Sequence, residues 1–135
     1  MSTTARAKRV CVKNDRRKWY EIDGKIEGKF KLWHANGKRA VRCHYKNDKK
    51  DGKYKAWYEN GRRLDRGRFK DGKLVSRYKS WHDNGQPDVR CYFKSNNFDG
   101  KYRRWNKDGT LTMHCYYEND KIIKNLFYQK TKIND

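Results

Sequence analysis

Polar and apolar residues alternate along most of this chain, in short runs separated by turn-forming residues. Residues 29–33 (KFKLW) alternate, a turn-forming stretch follows at 34–37 (HANG), and residues 41–46 (VRCHYK) alternate again. Alternation over about four to eight residues is typical of a β-strand with one face toward a core. Asn-Gly between two such runs favours a hairpin, because glycine adopts positive φ without steric cost. Each such unit therefore predicts two strands and two turns.

The alternating unit recurs every 24 residues between residues 27 and 122, in four copies without an insertion. Three columns of the repeat are nearly invariant: tryptophan at Trp33, Trp57, Trp81 and Trp105, glycine at Gly37, Gly61, Gly85 and Gly109, and an aromatic residue at Phe30, Tyr54, Tyr78 and Tyr102. A fixed period of about 20–50 residues predicts a repeat architecture. We predict an all-β fold, an elongated single-layer antiparallel meander of about four hairpin repeats with half-repeat caps. Such an array usually offers a long binding surface.

At 135 residues the chain is expected to form one domain. We divide it into a basic N-terminal arm at 1–18, an N-terminal half-repeat cap at 19–26, the four repeats at 27–122, and a C-terminal half-repeat cap and tail at 123–135. The single proline, Pro87, follows a turn, at the start of a predicted strand, where a missing N–H costs least.

Because side chains alternate between the two faces of a strand, the repeat columns divide into an apolar and a basic set. The apolar set contains the aromatic column above, Val41, Val89 and Met113, Cys43, Cys91 and Cys115, and Tyr45, Phe69, Phe93 and Tyr117. The basic set contains Lys29, Lys31, Lys53, Lys55, Arg77, Lys79, Lys101 and Arg103, extended by Arg42, Arg66 and Arg90. By parity the tryptophan column falls on the basic side, although the adjacent turn could redirect it. The sheet is predicted to have two chemically different faces.

The charge of the chain indicates an anionic partner. It has 36 Lys and Arg against 16 Asp and Glu, a formal net charge of +20. Like charges on neighbouring strands are unfavourable, and such an excess attracts polyanions. Nucleic acid, bound through its phosphates, is the partner that we expect on the basic set, with Trp33, Trp57, Trp81 and Trp105 adding apolar or base-stacking contacts. Acidic protein surfaces and anionic lipid headgroups remain alternatives.

The apolar face of a single sheet needs cover or forms a large exposed patch. We expect self-association or docking into a larger assembly through Tyr54, Tyr78, Tyr102, Phe69 and Phe93. A basic structural component of a virus particle or other assembly, binding acidic protein, is therefore the alternative function.

Few residues of the sequence suggest a disulfide, a metal site or a catalytic site. Equivalent cysteines such as Cys91 and Cys115 lie two strands apart, roughly 9–10 Å, beyond the ~7 Å that a disulfide allows, so buried free thiols are predicted for the four cysteines. His34 and His82 belong to alternate repeats, too far apart for one metal ion, whereas His44 and His114 fall on the basic side. No nucleophile triad, phosphate-binding loop or carboxylate pair stands out. We expect neither an enzyme nor a cofactor or metal.

The columns resemble the MORN repeat, in the variant with a W/Y-x-x-N-G turn and a G-x-Y strand start. In this sequence those elements are Trp57-Tyr58-Glu59-Asn60-Gly61 and Gly52-Lys53-Tyr54, and the resemblance covers most of 19–128. It implies an elongated β-meander that serves as a scaffold or interaction module. The variant occurs in proteins labelled as antitoxin components and in giant DNA viruses, so it also implies antitoxin-like protein binding as a third function.

No stretch approaches the roughly 18 apolar residues that a membrane-spanning helix needs, and no signal peptide is evident. We therefore expect an intracellular location, cytoplasmic or nuclear, or a virion if the source is viral.

Overall fold

The computed structural model describes residues 9–126, which contain fourteen β-strands and no helix. The strands are β1 (Val10–Lys13), β2 (Arg17–Ile22), β3 (Lys25–Ile26), β4 (Gly28–Trp33), β5 (Arg39–Lys46), β6 (Lys49–Lys50), β7 (Gly52–Trp57), β8 (Arg63–Lys70), β9 (Lys73–Trp81), β10 (Pro87–Lys94), β11 (Asn97–Phe98), β12 (Gly100–Trp105), β13 (Leu111–Glu118) and β14 (Lys121–Asn125). All of them belong to one open antiparallel sheet in which the main strands follow one another in chain order. The predicted single-layer meander is confirmed.

Three of the strands, β3, β6 and β11, are short continuations of the strand that follows them. One residue separates each from β4, β7 or β12, and the next residue is a glycine with positive φ: +92° at Gly28, +105° at Gly52 and +111° at Gly100. The third repeat has Ser76 in that column, and it too has a positive φ, +56°. The backbone geometry of the repeat is therefore kept where its glycine is not.

The strands begin and end along two opposite sides of the sheet, here called its edges, and the turns at these two edges differ. One edge carries two-residue turns with both residues at positive φ, for example Asn47 at +50° and Asp48 at +65°, which is the turn that fits the twist of a hairpin. The other edge carries the Asn-Gly loops, five residues long at 34–38, where the Gly37 amide donates to the His34 carbonyl at 3.0 Å. The predicted hairpins are confirmed.

Each Asn-Gly loop is bonded to the next one. The Asn36 side-chain amide donates to the Glu59 carbonyl, and Asn60 and Asn84 make the same bond to Asp83 and Lys107, each at 2.8 Å. These bonds hold successive repeats in the same relative position.

The apolar set lies on one face, because its members are paired across strands. Phe30 is opposite Cys43, Tyr102 is opposite Cys115, and Tyr78 is opposite Cys91. The tightest packing is near the C-terminal end, where Cys91, Tyr102 and Cys115 are buried among further residues of this face: Tyr78, Val89, Phe93, Phe98, Met113 and Tyr117. Aromatic rings on adjacent strands pack against one another on this face, as Tyr54 does edge to face on Phe69 and Tyr78 on Phe93.

Charged residues also lie on the apolar face, which the sequence columns did not predict. Asp65 occupies the column of Val41 and Val89, and is opposite Ala56. Lys50 lies with its Nζ 5.1 Å from the ring centres of both Tyr54 and Phe69. The apolar face is therefore interrupted in the second repeat.

The N-terminal end has one strand more than predicted. Val10–Lys13 forms β1, which pairs with β2, although the sequence suggested an arm over 1–18. Residues 1–8 of that arm, and 127–135 of the predicted C-terminal cap and tail, lie outside the described residues. Within residues 9–126 no helix could span a membrane.

Candidate polyanion-binding face

The basic face carries an unbroken line of cations running across the strands. Each member is the direct cross-strand partner of the next, which places like charges roughly 5 Å apart at the backbone. We call this line the cationic row; from β1 to β12 it contains Lys13, Lys18, Lys31, Arg42, Lys55, Arg66, Lys79, Arg90 and Arg103, and His114 follows on β13. At about 4.8 Å per strand the cations span roughly 40 Å.

A second line lies beside the cationic row, two residues nearer the two-residue turns. Its members on successive strands, which we call the flanking row, are Lys29, His44, Lys53, Arg68, Arg77, Tyr92, Lys101, Tyr116 and Lys124. The first four members are basic or imidazole side chains, whereas tyrosines alternate with cations in the rest. The two halves of the basic face therefore differ.

The cationic row lacks acidic counterions in the described part of the chain. The three ion pairs found there join Asp88 to His82 and Arg104, and Asp83 to Lys107, and none includes a member of the row. Partial burial, with the charges of Arg90, Arg66, Arg77 and Arg63, lowers the pKa of Lys79. The pKa of Arg90 is lowered by burial and by Arg103, Arg63 and Arg66. Like charges thus destabilise one another along this line.

The tryptophans lie on the basic side, as parity predicted, and arginines cover their rings. The Arg39 guanidinium lies 4.3 Å from the Trp57 ring centre, and that of Arg63 lies 4.2 Å from Trp81. Each of these arginines comes from the strand before its tryptophan, so tryptophan and arginine alternate across this part of the sheet. Trp57 and Trp81 are consequently only 8% and 6% exposed.

This burial corrects the expected role of the tryptophan column. Trp57 and Trp81 have no open ring face on which a base could stack, and Trp33 and Trp105 are half-buried beneath Arg42 and Arg103, at 4.8 and 5.4 Å. For Trp57 and Trp81 the sequence could not reveal this, because the covering arginine lies 18 residues earlier in the chain than its tryptophan. The column is a structural support for the arginines.

Arg66, at the middle of the cationic row, differs from its equivalents in the neighbouring repeats. Arg42 and Arg90 each donate through Nη1 to two backbone carbonyls, at 2.9–3.3 Å, and lie against tryptophan. Arg66 is exposed instead, and borders a groove of about 610 Å³ together with Arg39, Lys55, Arg62 and Arg63. This groove is larger than the one of about 330 Å³ bordered by Arg77, Arg90 and Arg103.

The thiols and two of the imidazoles have structural roles. Cys43, Cys91 and Cys115 are buried and free, and burial raises the pKa of Cys43 to about 11 and of Cys91 to about 12. Cys11 is also free, but it is exposed on β1, contrary to the prediction of buried thiols. His34 and His82 bond the carbonyls of Trp57 and Trp105, at 2.7 and 2.8 Å, and so link each repeat to the next. Within residues 9–126 no group of three or more His, Cys, Asp or Glu is placed to hold a metal.

The structure arranges the predicted basic residues into the two rows and adds members that the sequence reasoning missed. Lys31, Arg42, Lys55, Arg66, Lys79, Arg90 and Arg103 lie in the cationic row, and Lys29, Lys53, Arg77 and Lys101 in the flanking row. Lys13 and Lys18 were assigned to the arm, yet they extend the cationic row. Arg68, Tyr92 and Tyr116 could have been found, since they share the 24-residue column of His44.

Consecutive hairpins in one sheet, with one long charged face, define a repeat interaction module. The model of the MORN repeat variant family matches residues 26–47 and 50–71, which are the first two repeats. Two of the four repeats of this chain are thus similar to the MORN repeat variant.

Other comparisons add little. No curated protein matches the chain. A solved structure titled "Crystal Structure of TarM" is similar over 87% of this chain at 13% identity, with a TM-score of 0.41. This chain spans only 21% of that one, and a likeness at this level carries no argument about function.

Proposed function

We propose that this protein is a non-catalytic binding module whose basic face binds nucleic acid through its phosphates, with little sequence preference. The observation that carries the proposal is the cationic row, in which nine cations on adjacent strands have no acidic partner among the described residues. Cross-strand like charges destabilise the free protein, and a bound polyanion removes that destabilisation. The row is continuous from β1 to β12, as a phosphate backbone is continuous along its strand.

Mixed surface charge would serve solubility at least as well as charge of one sign. Acidic residues of this chain instead lie mainly in the turns, such as Asp71, Asp83 and Asp108. Their position leaves the centre of the basic face free for a ligand. The expected contacts are Arg66 and Lys55 at the open groove, and Lys79 with the rest of the row along the backbone of the ligand.

The salt dependence of binding tests the proposal. With about six or more phosphates contacted, affinity should fall roughly 10³-fold or more between 50 and 200 mM salt. Fluorescence anisotropy of a labelled oligonucleotide measures this directly. Equal affinity at the two salt concentrations contradicts the proposal.

A pair of charge-reversing substitutions tests whether the contacts lie on the cationic row. We expect Lys55→Glu with Lys79→Glu to weaken binding to every sequence and to reduce the slope of log K against log salt by about 1.4–1.8, since two contacts contribute about 0.7–0.9 each. The same pair should leave stability unchanged or raised, because it places acids beside Arg66. Lost binding therefore cannot be confused with misfolding.

Lys38→Glu with Lys107→Glu is the matched control. It makes the same change in net charge, but in the Asn-Gly loop at 34–38 and the Asp-Gly loop at 106–110, where it also removes the ion pair of Lys107 with Asp83. If the control lowers affinity and slope as much as the row variant does, net charge and not the row governs binding. Polyglutamate is the second comparison: if it binds as tightly as an oligonucleotide of equal charge, the alternative of an acidic protein partner is favoured.

A further inference from the structure

Tyr92 lies at the centre of the C-terminal half of the basic face and is unusually open. It is 40% exposed, while the other exposed large hydrophobic residues of the described chain, Val10, Ile122 and Ile123, are on the terminal strands β1 and β14. Its cross-strand partner is Arg77, so it is on the cationic side. An aromatic ring on a surface of this charge has a specific use if bases approach it.

The surroundings of Tyr92 are cationic on both sides. A groove of about 330 Å³ passes its ring, bordered by Arg77 and Lys79 of β9, Arg90 of β10, and Lys101 and Arg103 of β12. The tyrosine itself lies against Gly100, where an added Cβ would come 3.5 Å from its Cδ2. That is an ordinary van der Waals distance, so glycine is favoured at this position by its φ of +111° and the ring simply packs beside it.

The ring of Tyr92 differs from those of the tryptophans in what covers it. Trp57 and Trp81 have guanidinium groups 4.3 and 4.2 Å from their ring centres. Among residues 9–126, no Arg or Lys lies over the Tyr92 ring and no other ring packs against it. Tyr92 is therefore available for stacking, whereas Trp57 and Trp81 are not.

We propose that the C-terminal half of the basic face selects single-stranded nucleic acid, with Tyr92 stacking on an unpaired base while Arg77, Lys101 and Arg103 bind the neighbouring phosphates. Tyr116, in the same repeat column and between Lys101 and Lys124, is the second stacking position. An aromatic ring between cations is the arrangement that binds single strands, because every unpaired base has a free π-face. A duplex offers no such face along its length. The proposal rests on the proposed function and names its ligand class.

The experiment compares three labelled ligands of one length: an oligothymidylate, an abasic strand and a duplex. We expect Tyr92→Ala to lower the affinity for oligothymidylate roughly 5- to 100-fold, the range for one stacked base. Affinity for the abasic strand and the duplex, and the salt slope for all three, should not change. Tyr92→Phe keeps the ring and should behave as wild type, and Tyr116→Ala should have a smaller effect because Tyr116 is half-buried.

The outcomes separate the two proposals. If wild-type protein binds all three ligands equally and Tyr92→Ala changes nothing, the stacking proposal is overturned while phosphate binding remains. If wild type binds none of the three at low salt, the proposed function itself fails. If phosphatidylserine vesicles bind more tightly than any strand and Tyr92→Ala weakens that binding, a membrane surface replaces nucleic acid as the partner.

Discussion

The middle of the sheet, β7 to β9, and its C-terminal part, β10 to β13, are built from the same repeat but packed differently. In the C-terminal part Cys91, Tyr102 and Cys115 form a buried cluster, and Cys115 is fully inaccessible. In the middle the equivalent of those cysteines is Gly67, and Asp65 lies where the other repeats have valine or methionine. The difference teaches that a repeat sequence can keep its backbone geometry while its contribution to stability changes.

The polar substitutions of the middle region are linked. Tyr78 donates from its hydroxyl to Asp65 Oδ2 at 2.7 Å. The Tyr78 ring can lie over Gly67 and reach Asp65 because Gly67 has no side chain. An added Cβ would come 3.1 Å from Tyr78 Cδ2. Lys50 lies over the rings of Tyr54 and Phe69, and its charge acts to lower the pKa of Asp65. The middle therefore contains a small polar network where the C-terminal part has a hydrophobic cluster.

The largest expected effect comes from breaking the C-terminal cluster. Tyr102 is 8% exposed and packs against the rings of Phe98 and Tyr117, with centroids 5.2 and 5.3 Å away. We expect Tyr102→Ala to cost about 3–5 kcal/mol, as large-to-small changes of buried aromatics do. The matched change in the middle, Tyr54→Ala, should cost only about 1–2 kcal/mol because that ring is half-exposed. Urea unfolding measures both; equal losses would contradict the comparison.

A smaller effect, of opposite sign, is expected at Asp65. Burial raises the pKa of Asp65, and within residues 9–126 its Oδ1 is buried without a hydrogen-bond partner. Asp65→Val restores the residue type of the other repeats and should stabilise the protein by about 1–2 kcal/mol at neutral pH, by removing a poorly solvated carboxylate. Tyr78→Phe is the control for the lost hydroxyl bond. A loss of stability in Asp65→Val would mean that the bond to Tyr78 outweighs the desolvation.

The same substitution should remove a pH dependence. Because the pKa of Asp65 is raised in the folded chain, the folded chain retains a proton over a range in which the unfolded chain has lost it. The destabilisation by the charged carboxylate is therefore complete above the folded-state pKa, and it is relieved as the pH falls through that value toward the ordinary 3.8. As the pH falls through that acidic range, the free energies of unfolding of wild type and Asp65→Val should therefore become more similar.

The smallest expected effect concerns the backbone of β9. Ser76 has a φ of +56° in the column where the other repeats have glycine. Ser76→Gly should stabilise by about 0.5–1 kcal/mol, because glycine adopts positive φ without steric cost even though it loses more entropy on folding. Gly52→Ser puts a side chain at a φ of +105° in the second repeat, farther from the left-handed region at about +57° than Ser76 is, and should destabilise. Thermal unfolding of the two variants shows whether each substitution raises or lowers stability.

Sequence reasoning predicted the strands, the hairpins and the chemical difference between the faces, because these depend only on local alternation and on parity. It did not predict the detailed arrangement of side chains on the basic face. Which cation lies opposite which depends on registers set by irregularities, such as the shift between Leu32 and Trp33. The burial of Trp57 depends on Arg39, from a strand of the preceding repeat. The exceptions Lys50, Asp65 and Gly67 were visible in the columns, but their mutual contacts needed coordinates.

The bonds between Asn-Gly loops each join a residue to one 23 positions later, so every repeat is tied only to its neighbours. Duplication or loss of one 24-residue unit would thus preserve each remaining junction. Two strands gained in this way lengthen the line of charge by about 10 Å. Copy number then sets the length of the charged line, and evolution can adjust that length by recombination between units without altering any single contact.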